Sequence, residues 1–579
     1  MMLKQKLKIL SILFLFSNFA LAEDIPTVDD INKQTPQFPK QAEPLPSDTI
    51  KKLDQSVETQ DENKLFKVLV KDFLFEGNKK YSSEELKIAT KELIDQELGY
   101  NDLLNVSRLV SNYYRSKGFL ATAYLPPQDI ENGIVKIKVV EAVLGKIIYD
   151  LEEGEKLNLS KEKIDKRILF QIEKEGILDI AQLDKNIRNL NKIAGLNAIA
   201  TLEEGNNFGE TNIKVTALNT KTLSANSFVD NNGSRSSGYN RFTNSINFDG
   251  LLNAGERITL TNILSGDHHT ENHEESNYYA ISSSFPIGLQ GTEATLRVSK
   301  MEYKLSAPFD STKPSGYSSE YNLTVNKPLI ESLNFNLSSS LSLANNKYVN
   351  DLSTGNNSDK DVLKSILGLS FDSRDQKLGG GVNYGSFNLS LAKLDLTDNF
   401  SNYETDQAGA DSNGRNFKGT LNLNRLQKLT EKTNLLIKFN GQLSPDNLDG
   451  SDQFSLGGPN GVRAYPSNEA AGDSGFVTSL ELKRNLFNKI ESSLFYDYGK
   501  IKLHESLWTN WNSTNTNLKN NYHIRGWGVS FGIPFFNAFN LNATYAKKLG
   551  HNSGRDSTGK DVDGLTFQDR GLISLSGQF

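Results

Sequence analysis

YNLTVNKPL, residues 321–329, places Tyr321, Leu323 and Val325 on one face of an extended chain and Asn322, Thr324 and Asn326 on the other. LNFNLSS (333–339) repeats the pattern, with Leu333, Phe335 and Leu337 opposing Asn334, Asn336 and Ser338, and LNLNRL (421–426) continues it. From about residue 219 to Phe579 such segments follow one another with no helical period between them. One apolar face and one Asn/Ser/Thr face would suit half of a soluble sandwich. A run this long fits better a closed barrel with lipid outside and water inside, and about 360 residues at roughly 10 per strand plus turns leave room for about 12 to 18 strands.

Composition agrees with an exported barrel. Lys4, Lys6 and Lys8 precede an apolar run over residues 9–16 and then Ala20-Leu21-Ala22, which predicts a signal peptide (1–22) cleaved after Ala22. The mature chain would have 579 − 22 = 557 residues, and losing those three lysines takes the formal net charge from −6 to −9. That balance argues against a nucleic-acid partner. No later apolar run is long enough for a membrane helix, and mean hydropathy is −0.47. Barrel strands need only every second residue apolar, so a low value does not exclude the membrane. The chain has no cysteine, which suits a large hydrogen-bonded sheet better than a small disulfide-stapled module.

Ahead of the barrel, residues 23–63 carry Pro26, Pro36, Pro39, Pro44 and Pro46 among Lys, Gln and Asp, which predicts a tether with room for one short helix. Residues 64–142 then read strand (66–78), helix opened by the Ser82/Glu85 capping box and running through about Leu98, second helix closed by Gly118, and strands at 121–128 and 133–142. Along the second helix, Leu104, Ser107, Val110 and Tyr114 share one face. The same order returns over residues 143–218, with a strand near 145–151, helices after Ser160 and over 180–193, and strands at 197–205 and 211–218. Two small α+β modules in series are expected. Their order and size resemble the polypeptide-transport-associated (POTRA) domains that precede certain outer-membrane barrels.

Two segments interrupt the alternation in a way that carries chemistry. LGGPNGVRAYP (456–466) has too many Gly and Pro residues for a ladder-forming strand, yet it holds one arginine, Arg463. LFYDYGK (494–500) holds one aspartate, Asp497, in phase with Phe495 and Gly499 and opposite Tyr496 and Tyr498. If the tyrosines meet lipid, the carboxylate points into the lumen and wants a cation. Taken alone, these residues leave open a solvated loop arginine and a turn-forming aspartate, because exposed pairs contribute little.

Together these features resemble the outer-membrane transporter of two-partner secretion, the haemolysin secretion/activation family of the POTRA-barrel superfamily. VRAY (462–465) is similar to the family's V-R-G-Y/F loop tip and FYDYG (495–499) to its F-x-D-x-G strand; DNNGSRSSGYNR (230–241), at the barrel entrance, and GDSGF (472–476) also look like family sequence. Ala464 stands where the family often has glycine, which restricts a positive φ there. The resemblance implies a mainly β fold: a 16-stranded transmembrane antiparallel β-barrel (219–579) preceded by two periplasmic POTRA domains. It also implies an N-terminal plug helix within 23–63 and a lumenal loop around 450–472. The loop tip, Gly461, Val462, Arg463, Ala464 and Tyr465, would meet Phe495, Asp497 and Gly499 on the wall. Phe579, ending ISLSGQF with Ile573 and Leu575 in phase, resembles a barrel-assembly signal.

The implied partners are a secreted exoprotein, recognised through its N-terminal secretion domain, outer-membrane lipid or lipopolysaccharide, and the barrel-assembly machinery during biogenesis. A monomer is expected, with no cofactor and no catalytic or metal-binding residue. GDSG (472–475) looks like the surroundings of a serine nucleophile, but no suitable histidine accompanies Ser474. His268, His269 and His273 beside acids suit a hydrophilic barrel loop better than a metal site, and Asp561, Asp563 and Gly564 lack the rest of a calcium pattern. No phosphate-binding glycine loop is present. A barrel-assembly insertase and a passive porin or uptake channel are the alternative functions; two modules and the proline-rich extension favour secretion.

Overall fold

The computed structural model describes residues 27, 28, 33, 50–51 and 67–579, apart from 152–156, 158, 267–274, 306–310, 333, 488, 514 and 537. The expected signal peptide, most of the 23–63 segment, Leu333 and the three histidines of 268–273 lie outside the described residues.

The first module is built on helix α1 (Ser83–Thr90) and helix α2 (Tyr100–Ser116) over a three-stranded sheet ordered Asp72–Glu76, Ile134–Glu141, Ala121–Tyr124. Ser82 caps α1 with the reciprocal Glu85 bond that its spacing predicts. The helix stops at Thr90, however, rather than near Leu98. A 3-10 turn covers Lys91–Leu93, Asp95 turns the chain at φ 62, and Gln96–Gly99 becomes a strand antiparallel to Lys67–Val70. The single strand expected over 66–78 is therefore two, because Lys67–Val70 pairs with this ribbon and Asp72–Glu76 with the main sheet. On α2 the buried stripe is Leu103, Val106, Ser107, Val110 and Tyr114, packed on Phe73, Phe75, Val135 and Ile137. Leu104 is only half-buried.

In the second module, α3 (Lys161–Ile168) and α4 (Ile180–Leu190) cover a sheet ordered Val143–Asp150, Glu210–Asn219, Leu196–Glu204. Ser160 and Asp179 cap the two helices. Ile50 and Lys51 add a short parallel strand outside Leu196–Glu204, opposite Ala200 and Thr201, so that edge is covered by the chain's own N-terminal segment. Backbone bonds from Leu120 to Leu178 and from Leu178 to Ala142 join the two modules. The second also touches the barrel: Arg167 Nη1 donates to Gly288 O at 2.7 Å, Lys163 Nζ to Asn253 O at 3.3 Å, and Lys192 pairs with Glu331.

The barrel closes from sixteen antiparallel strands, as the resemblance implied. They are β1 (Leu223–Asp230), β2 (Arg241–Asp249), β3 (Arg257–Gly266), β4 (Glu275–Ile287), β5 (Thr292–Lys304), β6 (Ser315–Glu331), β7 (Phe335–Leu352), β8 (Gly355–Asp375), β9 (Gly381–Asp395), β10 (Gly414–Lys428), β11 (Thr433–Leu443), β12 (Ser474–Leu486), β13 (Ile490–Lys502), β14 (Asn521–Phe535), β15 (Phe539–Lys548) and β16 (Asp569–Gln578). β1 meets β16 in the register Asn226↔Gln578 to Asp230↔Ser574, and Phe579 and Ala225 exchange backbone bonds at 2.9 and 3.1 Å. The alternation seen in the sequence sets the two faces. Tyr321, Leu323, Leu367 and Ile573 are exposed toward lipid, whereas the intervening Asn, Ser and Thr residues line the lumen. Among the described residues no helix is long and apolar enough to cross a membrane. β1 enters from the modules, which puts residues 231–240 at the first hairpin loop on the far, extracellular side instead of at the periplasmic entrance. There Asp230 and Arg241 form a buried pair at 2.7 Å.

Candidate functional site

Strands β12 and β13 turn alternate residues inward, and their register sets Ser479 opposite Asp497 and Glu481 opposite Phe495. Asp497 is 0% exposed, Phe495, Ser479 and Glu481 are buried, and Tyr496 faces outward. The inward carboxylate expected from the strand phase is therefore present, but it does not stand alone. Glu481 doubles the negative charge of the wall, with Lys438 of β11 at 2.9 Å as its neighbour.

The segment between β11 and β12, residues 444–473, folds back into the lumen and brings Arg463 to this wall. Its guanidinium donates from Nε to Asp497 Oδ2 at 2.9 Å and from Nη2 to Asp497 Oδ1 at 2.7 Å, a two-pronged pairing. Nη2 also donates to Ser479 Oγ at 2.9 Å, Nη1 lies 3.0 Å from Glu481 Oε1, and the Arg463 backbone N–H reaches Asp497 Oδ2 at 3.1 Å. The guanidinium carbon sits 3.4 Å from the Phe495 ring centroid, a cation–π contact in a water-poor place. All of the arginine's charged edge is thus used.

Local sequence explains why the tip can fit here. Val462 N–H donates to Leu456 O at 2.7 Å and Tyr465 N–H to Val462 O at 3.0 Å, winding the tip tightly. A Cβ on Gly461 would lie 2.0 Å from Leu456 O, so only glycine allows that turn. Ala464 has no positive φ, so the strain expected of alanine there does not arise; it is 1% exposed and its methyl faces Gly526 of β14. Gly499 leaves room for Leu456 and Val462 in the same way. Tyr465 is buried, with Lys548 Nζ 4.9 Å above its ring.

The returning leg of the loop is tied at the extracellular mouth. Glu469 accepts from Asn552 Nδ2 at 2.7 Å and from the Val562 N–H at 2.9 Å, both in the loop between β15 and β16. Burial, then the nearby Asp561, push its pKa up to about 7 from 4.5. A carboxyl with a raised folded-state pKa holds a proton that the unfolded chain has lost, so its stabilisation is present below about 4.5 and drains away as pH climbs to about 7. Thermal unfolding of the detergent-purified protein should accordingly show stability falling across that window, by up to about 3 kcal/mol. Glu469→Gln should flatten the fall; an unchanged slope in that variant would remove Glu469 as its source.

The other residues singled out in the sequence have structural duties. Ser474 Oγ accepts from the Ser444 N–H at 3.0 Å, and Asp473 accepts from the backbone of Leu448 and Glu505 at 3.0 and 2.8 Å. Asp561 pairs with Lys548 and Arg555, and Asp563 with Arg570. Phe579 ends on the lipid side against Phe539, ring centroids 5.6 Å apart. Sequence reading missed Ser479, Glu481 and Gly526. The two-residue phase of β12 was the available signal for the first two, whereas Gly526 is recognisable only once β14 lies beside β13.

The N-terminal segment also reaches the lumen. Val28 is fully buried among Ile263, Tyr278, Met301, Tyr303 and Val362, all inward-facing in the extracellular half, and its N–H donates to Asn350 Oδ1 at 2.8 Å.

The family model "Haemolysin secretion/activation protein ShlB/FhaC/HecB" matches residues 209–535, and "POTRA domain, ShlB-type" matches residues 68–142. The chain is 25% identical over 550 residues to the heme/hemopexin transporter protein HuxB of Haemophilus influenzae, covering 93% of this chain and 94% of that protein. It is 23% identical over 395 residues to the outer membrane transporter CdiB of Dickeya dadantii, covering 66% of each. Among solved structures, CdiB from Escherichia coli superposes with a TM-score of 0.68 at 17% identity over 91% of this chain and 93% of that one, a shared fold.

Proposed function

This chain belongs to the haemolysin secretion/activation protein family, and from that premise we propose that its lumenal loop gates the pore by being pinned, through Arg463 on Asp497, in the conformation that an exoprotein needs in order to engage and leave the cell. The chain is an outer-membrane pore of two-partner secretion, with its POTRA region in the periplasm, and it exports a large exoprotein. The observation that supports this role is the two-pronged bonding of Arg463 to Asp497, which holds the loop tip against the inner wall of the barrel.

In this mechanism the client arrives unfolded and is recognised by its N-terminal secretion domain at the two modules, which both act as POTRA domains. Strand addition at a module edge supplies main-chain hydrogen bonds with little dependence on sequence. The client then displaces the N-terminal segment that contains Val28, together with the loop, threads the lumen, and folds outside, where folding makes return unfavourable. The pore works as a monomer and performs no catalytic step of its own. Lipopolysaccharide surrounds the barrel, and the barrel-assembly machinery inserts it by recognising β16 with Phe579.

Comparing culture supernatant and outer membrane by mass spectrometry, with and without this gene, tests the assignment. Loss of one large exoprotein from the supernatant with other barrels unchanged is the expected result. A broad fall in outer-membrane barrels would instead make the chain an insertase, and no change in either fraction would leave a passive channel. Because HuxB is named a heme/hemopexin transporter, growth on haem–haemopexin is a second phenotype to score in the same strains.

A further inference from the structure

The descending leg of the loop carries a tight turn, LDGSD (448–452), in which the N–H groups of Asp452 and Gln453 donate to Asp449 O at 2.8 and 3.2 Å and the Ser451 N–H donates to Asp449 Oδ1 at 2.9 Å. The turn presents both aspartates to the wall. Lys360 Nζ of β8 bonds both Asp449 oxygens at 2.8 and 3.0 Å. Lys364 of β8 and Lys418 of β10 share Asp452 Oδ1 at 2.8 and 2.9 Å, and Lys418 also donates to Asp452 O at 2.8 Å. Gln442 Nε2 of β11 reaches the same Asp452 O at 3.0 Å and Asp473 O at 3.1 Å, joining the two legs.

These groups are enclosed: the Lys360 side chain is 6% exposed and that of Asp452 9%. Burial would raise both aspartate pKa values, yet the facing lysines hold them below the ordinary carboxylate range. Three wall lysines face two loop carboxylates, and Lys33 of the N-terminal segment lies close enough to Lys418 to repel it. The cluster therefore sits where the loop and the N-terminal segment meet, on strands other than those that hold Arg463.

We propose that Asp449 and Asp452 with Lys360, Lys364 and Lys418 form a second clamp, built on other strands, that positions the loop for secretion and presents Arg463 to Asp497. The inference rests on the gating role of the loop. With the carboxylates neutralised, the loop leg loses the ion pairs that draw it to Lys360, Lys364 and Lys418, and it comes away from the wall. Nothing about shape needs to change for this to happen, since asparagine has the outline of aspartate.

Arg463 is the only lysine or arginine between residues 444 and 473, so trypsin added to intact cells cuts the loop there only when the tip has left the wall. Asp449→Asn with Asp452→Asn should raise cleavage at Arg463 about tenfold over wild type, with less exoprotein exported. Asp449→Glu with Asp452→Glu keeps the charges and should stay protected. The reciprocal variant, Asp449→Lys with Lys360→Asp, adds a tryptic site at 449 and is therefore read by export, which should be higher than in either single change, a result a purely steric role would not produce. Should the asparagine variant fail to give a heat-modifiable barrel, Lys364→Met with Lys418→Met decides the matter, with the same exposure expected. Wild-type protection in an assembled asparagine or methionine variant overturns the clamp. The protease readout needs no client, so normal export by an Arg463 variant would reject the gate and leave the clamp to be judged on cleavage alone.

Discussion

Arg463→Ala is expected to assemble into the outer membrane in normal amounts and to export only a small fraction of the client that wild type does. The arginine satisfies two buried carboxylates and a serine at once, Asp497 at 2.7 Å, Glu481 at 3.0 Å and Ser479 at 2.9 Å. Truncating one partner of such a pair leaves its charge buried and uncompensated, at a cost of roughly 3–5 kcal/mol. That is a shift of more than about a hundredfold in how often the loop occupies its resting place. Folding should be spared because the barrel is held by its ladders, and the loop contributes only a short ribbon of its own, Phe454–Ser455 with Ala471–Gly472. Asp497→Ala should be milder, since Arg463 would retain Glu481 and Ser479. Arg463→Lys should resemble the alanine variant, because an ammonium cannot make the two-pronged bond and stack on Phe495 together. Client in the supernatant, normalised to barrel in the membrane, is the measurement; wild-type export by Arg463→Ala would sink the gating role.

Gly526→Leu should displace the same tip without touching a charge. A Cβ built on Gly526 lies 2.7 Å from the Ala464 Cβ and 3.1 Å from Lys547 O, and neither neighbour is the free end of a flexible side chain. β14 is locked by ladders to β13 and β15, so the loop must give way. Overpacking of this kind costs about 1–3 kcal/mol, which predicts a smaller export defect than Arg463→Ala but a measurable ion leak in planar bilayers. The size argument has its own control. Gly526→Ala alone should leak, and adding Ala464→Gly should restore closure by giving back the volume. A Gly526→Leu channel as quiet as wild type would show that the tip does not need this close approach.

Both predictions use residues of different legibility. Arg463 stands out as the lone charge of LGGPNGVRAYP and Asp497 as the lone acid of LFYDYGK, and strand phase alone turns Asp497 inward. Ser479 and Glu481 were readable as inward positions of β12, but nothing local says that they lie across the ladder from Asp497 and Phe495. The error at residues 91–99 has a related origin. ELIDQEL has helix-forming composition, yet Gln96–Gly99 finds a better partner in Lys67–Val70, about thirty positions away, and tertiary pairing overrides propensity.

What the sequence by itself determined is what period and punctuation can encode: two successive α+β modules, a long run of alternating strands with a lipid face and a lumen face, and one arginine-bearing segment too rich in Gly and Pro to join the ladder. These are short-range properties, set by the two-residue repeat of a strand and the backbone limits of those residues. Only the tertiary structure decided which inward residues meet across the lumen. Closure of β1 on β16 fixes the circumference, and with it the distances that bring Asp449 and Asp452 to lysines more than thirty residues upstream, Glu469 to Asn552, and Ala464 to Gly526. Those contacts depend on barrel size and strand stagger, which are properties of the closed sheet as a whole and of no single segment within it.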